Sequence, residues 1–169
     1  MALSYSYMDA IGRGYPNIGA HCEGDGTVYE HIFLDEGTAL PSKAELDAWI
    51  LNAITSDLWD LIRAERDRRK SQGGYKVGNY WYHSDDTSRI QQIGLVMLGA
   101  NLPNNIMWKT MSGDYVHMTP TLAAQIFQAA MVSDMTVFAV AEQKHTEMLA
   151  SANPVDYDVL TGWPKIYGE

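Results

Sequence analysis

The stretch "PSKAELDAWILNAITSDLWDLIRAERDRRKSQGG" constrains the fold more than any other part of the chain. Ser42 stands at the N-cap position and Glu45 follows three residues later, the signature of a capping box. Leu46, Trp49, Ile50, Ala53, Ile54, Leu58, Leu61 and Ile62 then recur at helical spacing. Nothing interrupts the pattern before Gly73-Gly74, a natural helix stop. The expectation is one helix over about 42–72, a rod of roughly 45 Å at ~1.5 Å per residue. That is long for 169 residues, which is enough chain for one domain, or one domain with a small extra lobe.

Residues 1–41 read as an irregular or β lobe. "GRGYPNIGAHCEGDG" is rich in turn formers, with a helical turn expected near Met8–Ile11. "TVYEHIFLDEG" over 27–37 is the best strand of the first third, with Val28, Glu30, Ile32 and Leu34 on one parity, an imperfect alternation, and Tyr29 and Phe33 on the other. Residues 42–169 read as a helical α+β domain. "YKVGNYWYH" predicts a short hairpin turning at Gly78-Asn79. A helix follows from about Asp85 to Gly99, with Ile90, Ile93, Met97 and Ala100 along one face. "IMWKTMSGDYVHMT" predicts a second hairpin around Ser112-Gly113. Thr119 then caps another long helix with Pro120 at its first position. A break is expected at Ser133-Asp134 and a stop at Asn153-Pro154, with the tail packed down through Trp163 and Tyr167. The expected class is α+β: two to three long helices, two short hairpins and an irregular N-terminal lobe. The two hairpins share only a strand aromatic, Trp81 and Trp108, which is too little for a repeat.

Hydrophobic residues make up 46 % of the chain, enough for a core. The net charge of −9 is uneven. Residues 1–60 hold Arg13 and Lys43 against ten acids, whereas "RAERDRRK" at 63–70 holds five bases against two acids. An acidic chain with one short basic patch argues against a nucleic-acid partner. Cys22 is the only cysteine, so neither an intramolecular disulfide nor a cysteine-based zinc site is expected. No apolar run approaches about 18 residues, so no membrane-spanning helix is expected. The first residues lack the layout of a secretion signal, and synthesis in the cytoplasm is expected.

"WYHSDDTSR" is the one place where chemistry could gather. His83, Asp85 and Asp86 are suitable donors for a divalent metal. The other histidines, however, lack any paired metal-site spacing, and Ser84, Asp85 and Asp86 are good N-cap and first-turn residues. They are therefore read as caps, with a metal-dependent hydrolase as a remote alternative. "EGDGT" lacks the lysine and helix of a phosphate loop, and no serine or cysteine has a nucleophile motif. No catalytic residue, cofactor or metal is expected. The basic run sits at a helix end, where cations suit the dipole and Glu65 can pair with Arg69. Arg66, Arg68 and Arg69 are the residues of a docking patch if one exists. Trp81, Tyr82, Trp108 and Trp163 are core packing or partner contacts.

"YWYHSDDTSRIQQIGLVMLGANLP", "IMWKTMSGDYVHMTPTLAAQIFQAA" and "FAVAEQKHTEMLASANPVDYDVLTGWP" resemble, in this order, an uncharacterised domain family of bacteriophages and prophages, usually encoded among tail genes. The resemblance covers about residues 60–165. "YPNIGAHCEGDGTVYEHIFLDEGTALPSKAELDAW" is similar to the start of other small phage tail proteins. The resemblance implies a structural protein of the tail, in the baseplate or at a fibre attachment, made in the host cytoplasm and carried in the virion. Its partners would be other tail or fibre subunits, and by analogy it would form a homo-oligomer, a trimer for instance. A tail-fibre assembly chaperone that binds the fibre C-terminus is the alternative. No catalytic residues transfer from the family.

Overall fold

The computed structural model describes residues 5–16, 19–35 and 39–169. The chain is α+β. Among the described residues it has four helices and three two-stranded antiparallel sheets. Two helices are long, α2 (Lys43–Gln72, 30 residues) and α4 (Pro120–Ala150, 31 residues). Two are shorter, α1 (Tyr7–Gly14) and α3 (Asp86–Leu98). The contacts group into two compact units, one up to Leu61 plus Thr146–Val159, the other Ile62–His145 plus Leu160–Glu169.

In the first unit, residues 7–14 are not the single turn expected but a two-turn helix. Ser6 accepts from the Asp9 N–H at 3.1 Å while Asp9 accepts from the Ser6 N–H at 2.8 Å, a capping box in a region that reads as turns. The helix buries Tyr7, Ala10 and Ile11 against Ile32 and Leu46. β1 (Ala20–Cys22) pairs with β2 (Ile32–Leu34) in the register His21↔Phe33. The expected strand over 27–37 is thus shorter: Tyr29–His31 form a 3-10 turn first. Glu36 and Gly37 lie outside the described residues, as do Asn17 and Ile18. Further along α2, Ile54 and Leu58 close over the fully buried Met148.

The start of α2 follows the sequence expectation in detail. The Ser42 N–H donates to Glu45 Oε2 at 2.8 Å, and the Glu45 N–H donates to Ser42 Oγ at 3.3 Å. In the second unit, Gly74 carries the left-handed φ of +69° that turns the chain out of the helix. A Cβ there would overlap Met111 Sδ and the Tyr82 carbonyl. β3 (Tyr75–Val77) and β4 (Tyr80–Tyr82) form the first hairpin, with Gly78 at φ +60° in its two-residue turn. β5 (Met107–Lys109) and β6 (Tyr115–His117) form the second, closed where the Thr110 N–H donates to the Asp114 carbonyl at 2.8 Å. Tyr75, Tyr82, Leu95, Leu102, Met118, Ala123, Ile126 and Ala130 make the core.

Two expectations fail here for physical reasons. Helix α4 does not break at Ser133-Asp134, because the Asp134 carboxylate is held by Arg89 and so does not cap a new helix start. Helix α3 turns the other way round: Ile90, Ile93 and Met97 are exposed, and Gln92 and Leu95 face the core. Gln92 tolerates burial because it accepts from the Tyr75 hydroxyl and donates to the His83 carbonyl at 3.0 Å. The tail returns to the end of α2, where the Tyr167 N–H donates to the Gly73 carbonyl at 2.9 Å. Trp163 and Ile166 are buried, while Tyr167 stays exposed with its ring edge-on to Trp81, centroids 6.2 Å apart.

Candidate interaction surface

The "WYHSDDTSR" stretch is a structural hub. Ser84 is buried, and its hydroxyl accepts from the Gly74 N–H at 2.9 Å; it therefore does not cap α3 as expected. Asp85 is the N-cap, accepting from the Ser88 N–H at 2.9 Å and the Ser88 hydroxyl at 2.7 Å. Asp86 occupies the exposed first turn. Arg89 donates to the Ser84 carbonyl at 2.6 Å, to the Lys70 carbonyl at 3.0 Å, and to both Asp134 oxygens at 2.8 Å. One guanidinium thus ties the end of α2, the start of α3 and the middle of α4. Among the described residues, no group of three or more His, Cys, Asp or Glu is placed to hold a metal ion.

Its hydrogen bonds to the Ser88 hydroxyl and N–H hold the Asp85 carboxyl below its ordinary 3.8. A lowered folded-state value stabilises the fold above the unfolded pKa, and that contribution disappears as pH falls through the depressed value. Asp85→Ala should cost about 1 kcal/mol near neutrality. In urea titrations the gap between wild type and variant should shrink as pH falls below 3.8.

Arg66, Arg68 and Arg69 of the basic run are each paired with a carboxylate. Arg66 Nε donates to Asp67 at 2.8 Å, and Arg68 donates to Glu65 through Nε and Nη2 at 2.7 Å each. Arg69 is buried, donating to Glu65 at 2.6 Å, to the Pro164 carbonyl at 2.6 Å and to both Glu169 oxygens. It is an internal tie for the tail and presents no docking surface. The aromatic candidates divide in the same way. Tyr82 and Trp163 are buried, Trp163 with Arg69 and Lys144 over its ring at 5.8 and 5.7 Å. Trp81 and Trp108 are half-buried. Trp108 keeps its Nε1–H buried with no acceptor, which costs about 1–3 kcal/mol. Trp108→Phe removes that donor, so its melting temperature should match or exceed wild type despite the smaller ring.

What the spacing missed is the apolar surface. On α3, Ile90 is 70 % and Met97 82 % exposed. On α4, Phe127, Met131, Met135 and Phe138 recur at steps of four, four and three along the exposed side. Between Pro120 and Ala141 the one charged residue of α4 is Asp134, the Arg89 partner. By length and composition alone α4 is long and apolar enough to cross a membrane, although Asp134 interrupts its apolar run. A signal for exposure was present in α3: Leu95 and Val96 pack on the core while Ile90, Ile93 and Met97 lie on another side, so apolar residues occupy two faces of the helix.

A family model described as a domain of unknown function (DUF4376) matches residues 53–161, from the middle of α2 through the tail. No curated protein and no solved structure matches the chain.

Proposed function

The chain belongs to the DUF4376 family, and from that premise we propose that it is an assembly protein of a bacteriophage tail. It acts without catalysis, through contacts with other tail or fibre subunits in the baseplate or at a fibre attachment. One observation carries this reading: the Ser84 hydroxyl and the Asp85 carboxylate are committed to the fold, while large apolar side chains of α3 and α4 stand in solvent. Apolar patches of this kind mark contact surfaces. The resemblance of its ordered motifs to proteins encoded among phage tail genes supports the setting.

Quantitative mass spectrometry of purified particles tests it. A fixed copy number relative to the major tail subunit is expected, and absence from finished particles would overturn the virion role. The methionine content of the surface favours a second reading. Met97, Met131 and Met135 are flexible, polarizable side chains suited to adaptable binding. A tail-fibre chaperone uses such a face transiently. It would be abundant in infected-cell lysate, missing from particles, and would co-elute with a co-expressed fibre C-terminus.

A further inference from the structure

We infer that the open edge of β5, beside the start of α3, takes an acidic, extended peptide segment of a partner protein, which adds to the β5–β6 hairpin as a third strand. The inference names the partner chemistry for the assembly reading and rests on it only in taking the partner to be a protein.

The open edge follows from the hydrogen-bond pattern. The Met118 N–H donates to the Ile106 carbonyl and the Thr110 N–H to the Asp114 carbonyl, both at 2.8 Å. In an antiparallel ladder, pairs that exchange bonds alternate with pairs that do not. In the register Trp108↔Val116, residues Ile106, Trp108 and Thr110 therefore bond across the hairpin, and Met107 and Lys109 turn their N–H and C=O groups outward. The next outward group is used: the Met111 N–H donates to the Trp81 carbonyl at 2.9 Å. Among the described residues, the outward groups of Met107 and Lys109 meet no such backbone partner.

A cleft of about 420 Å³ lies beside this edge, lined by residues 106–109 and by His83, Ser88 and Gln91. Side chains alternate between faces along a strand, so four consecutive residues share one cleft through the strand's edge and not through a face. Trp108 also keeps its buried indole N–H without an acceptor, so this strand has unused donors in both backbone and side chain.

Charge selects the occupant. Lys109 is exposed and makes no ion pair among the described residues. No carboxylate is among the described residues that line the cleft, in a chain with 21 acids against 12 bases. A lysine on an open edge deters neutral strands from adding, and it favours one that brings a carboxylate. Strand parity sets the rest of the pattern. Acids belong on the face that Lys109 shares with Met107, and apolar side chains on the face of Ile106 and Trp108.

Amide hydrogen exchange of the full chain, read by heteronuclear NMR with the peptide acetyl-Glu-Val-Glu-Val-Glu-amide, is the test. The Met107 and Lys109 amides should exchange fast in the free chain and slow by about tenfold or more at saturating peptide. Lys109→Glu should weaken this peptide by more than about tenfold and should instead bind the acetyl-Lys-Val-Lys-Val-Lys-amide counterpart. Met107→Pro should abolish binding and leave the melt nearly unchanged, because the lost N–H bonds nothing in the hairpin and proline is tolerated on an open edge. Failure of the acidic peptide to bind, equal binding of both peptides by wild type, or binding that leaves the two amides unprotected would each overturn the proposal. So would amides already protected in the free chain through self-association, which would assign the edge to a second copy. Equal protection by benzoate would also overturn it and assign the cleft to small carboxylates. None of these outcomes touches the particle count, so the edge and the tail assignment fail separately.

Discussion

Arg89→Leu is expected to lower stability by about 3 kcal/mol in a urea titration, the lower end for breaking a buried ion pair. The lower end applies because the Arg89 and Asp134 side chains remain 19 % and 26 % exposed. The loss has two parts. Asp134 keeps a partly desolvated carboxylate without its bidentate partner. The Ser84 and Lys70 carbonyls lose a charged donor. Adding Asp134→Leu should recover only the first part, because the stranded carboxylate disappears while the two carbonyls stay unserved. Full recovery in the double variant would mean that the carbonyl contacts contribute nothing.

Tyr82→Ala is expected to cost about 3–5 kcal/mol, in the range for deleting a buried aromatic. Tyr82 is 1 % exposed and packs in the core with Tyr75 and Leu95. Its neighbour makes the comparison informative. Trp81 points to the other side of β4, half-buried against Tyr167, so Trp81→Ala should cost clearly less. Differential scanning calorimetry on the pair checks this. At about 2–4 °C per kcal/mol for a chain this size, the Tyr82 variant should melt roughly 6–20 °C lower. Equal losses at the two positions would contradict the strand's alternation.

Where local chemistry decided the outcome, the sequence was a sufficient guide. The Ser42–Glu45 box, the Gly73-Gly74 stop, the Gly78 turn and the Thr119 cap each depend on residues a few positions apart. Long-range partners reversed the other expectations. Asp134 looks like a helix start until Arg89, 45 residues earlier, claims its carboxylate. Gln92 looks like a surface residue until Tyr75 and the His83 carbonyl satisfy its amide inside the core. The apolar periodicity of α3 was visible, but period alone does not say which of two apolar faces turns inward. The Ser6–Asp9 box was readable in principle, yet the turn formers after it masked the short helix it starts. For the surface, the sequence pointed to tryptophans and arginines. Three of those seven candidates, Tyr82, Trp163 and Arg69, are buried, and the apolar side chains most open on α3 and α4 are Met97, Met135 and Ile90.

The nine methionines of this chain do not share one chemical fate. Met118 and Met148 are sealed in the core at 1 % and 0 % exposure, whereas Met97 stands 82 % open on α3. Oxidants reach thioethers by access, and a sulfoxide turns a soft apolar side chain into a polar one. Peroxide would therefore rewrite the skin of this protein before its interior. Folded, soluble material from an aged stock would present a different surface from fresh material, and the redox history of a preparation becomes a variable in every binding comparison made with it.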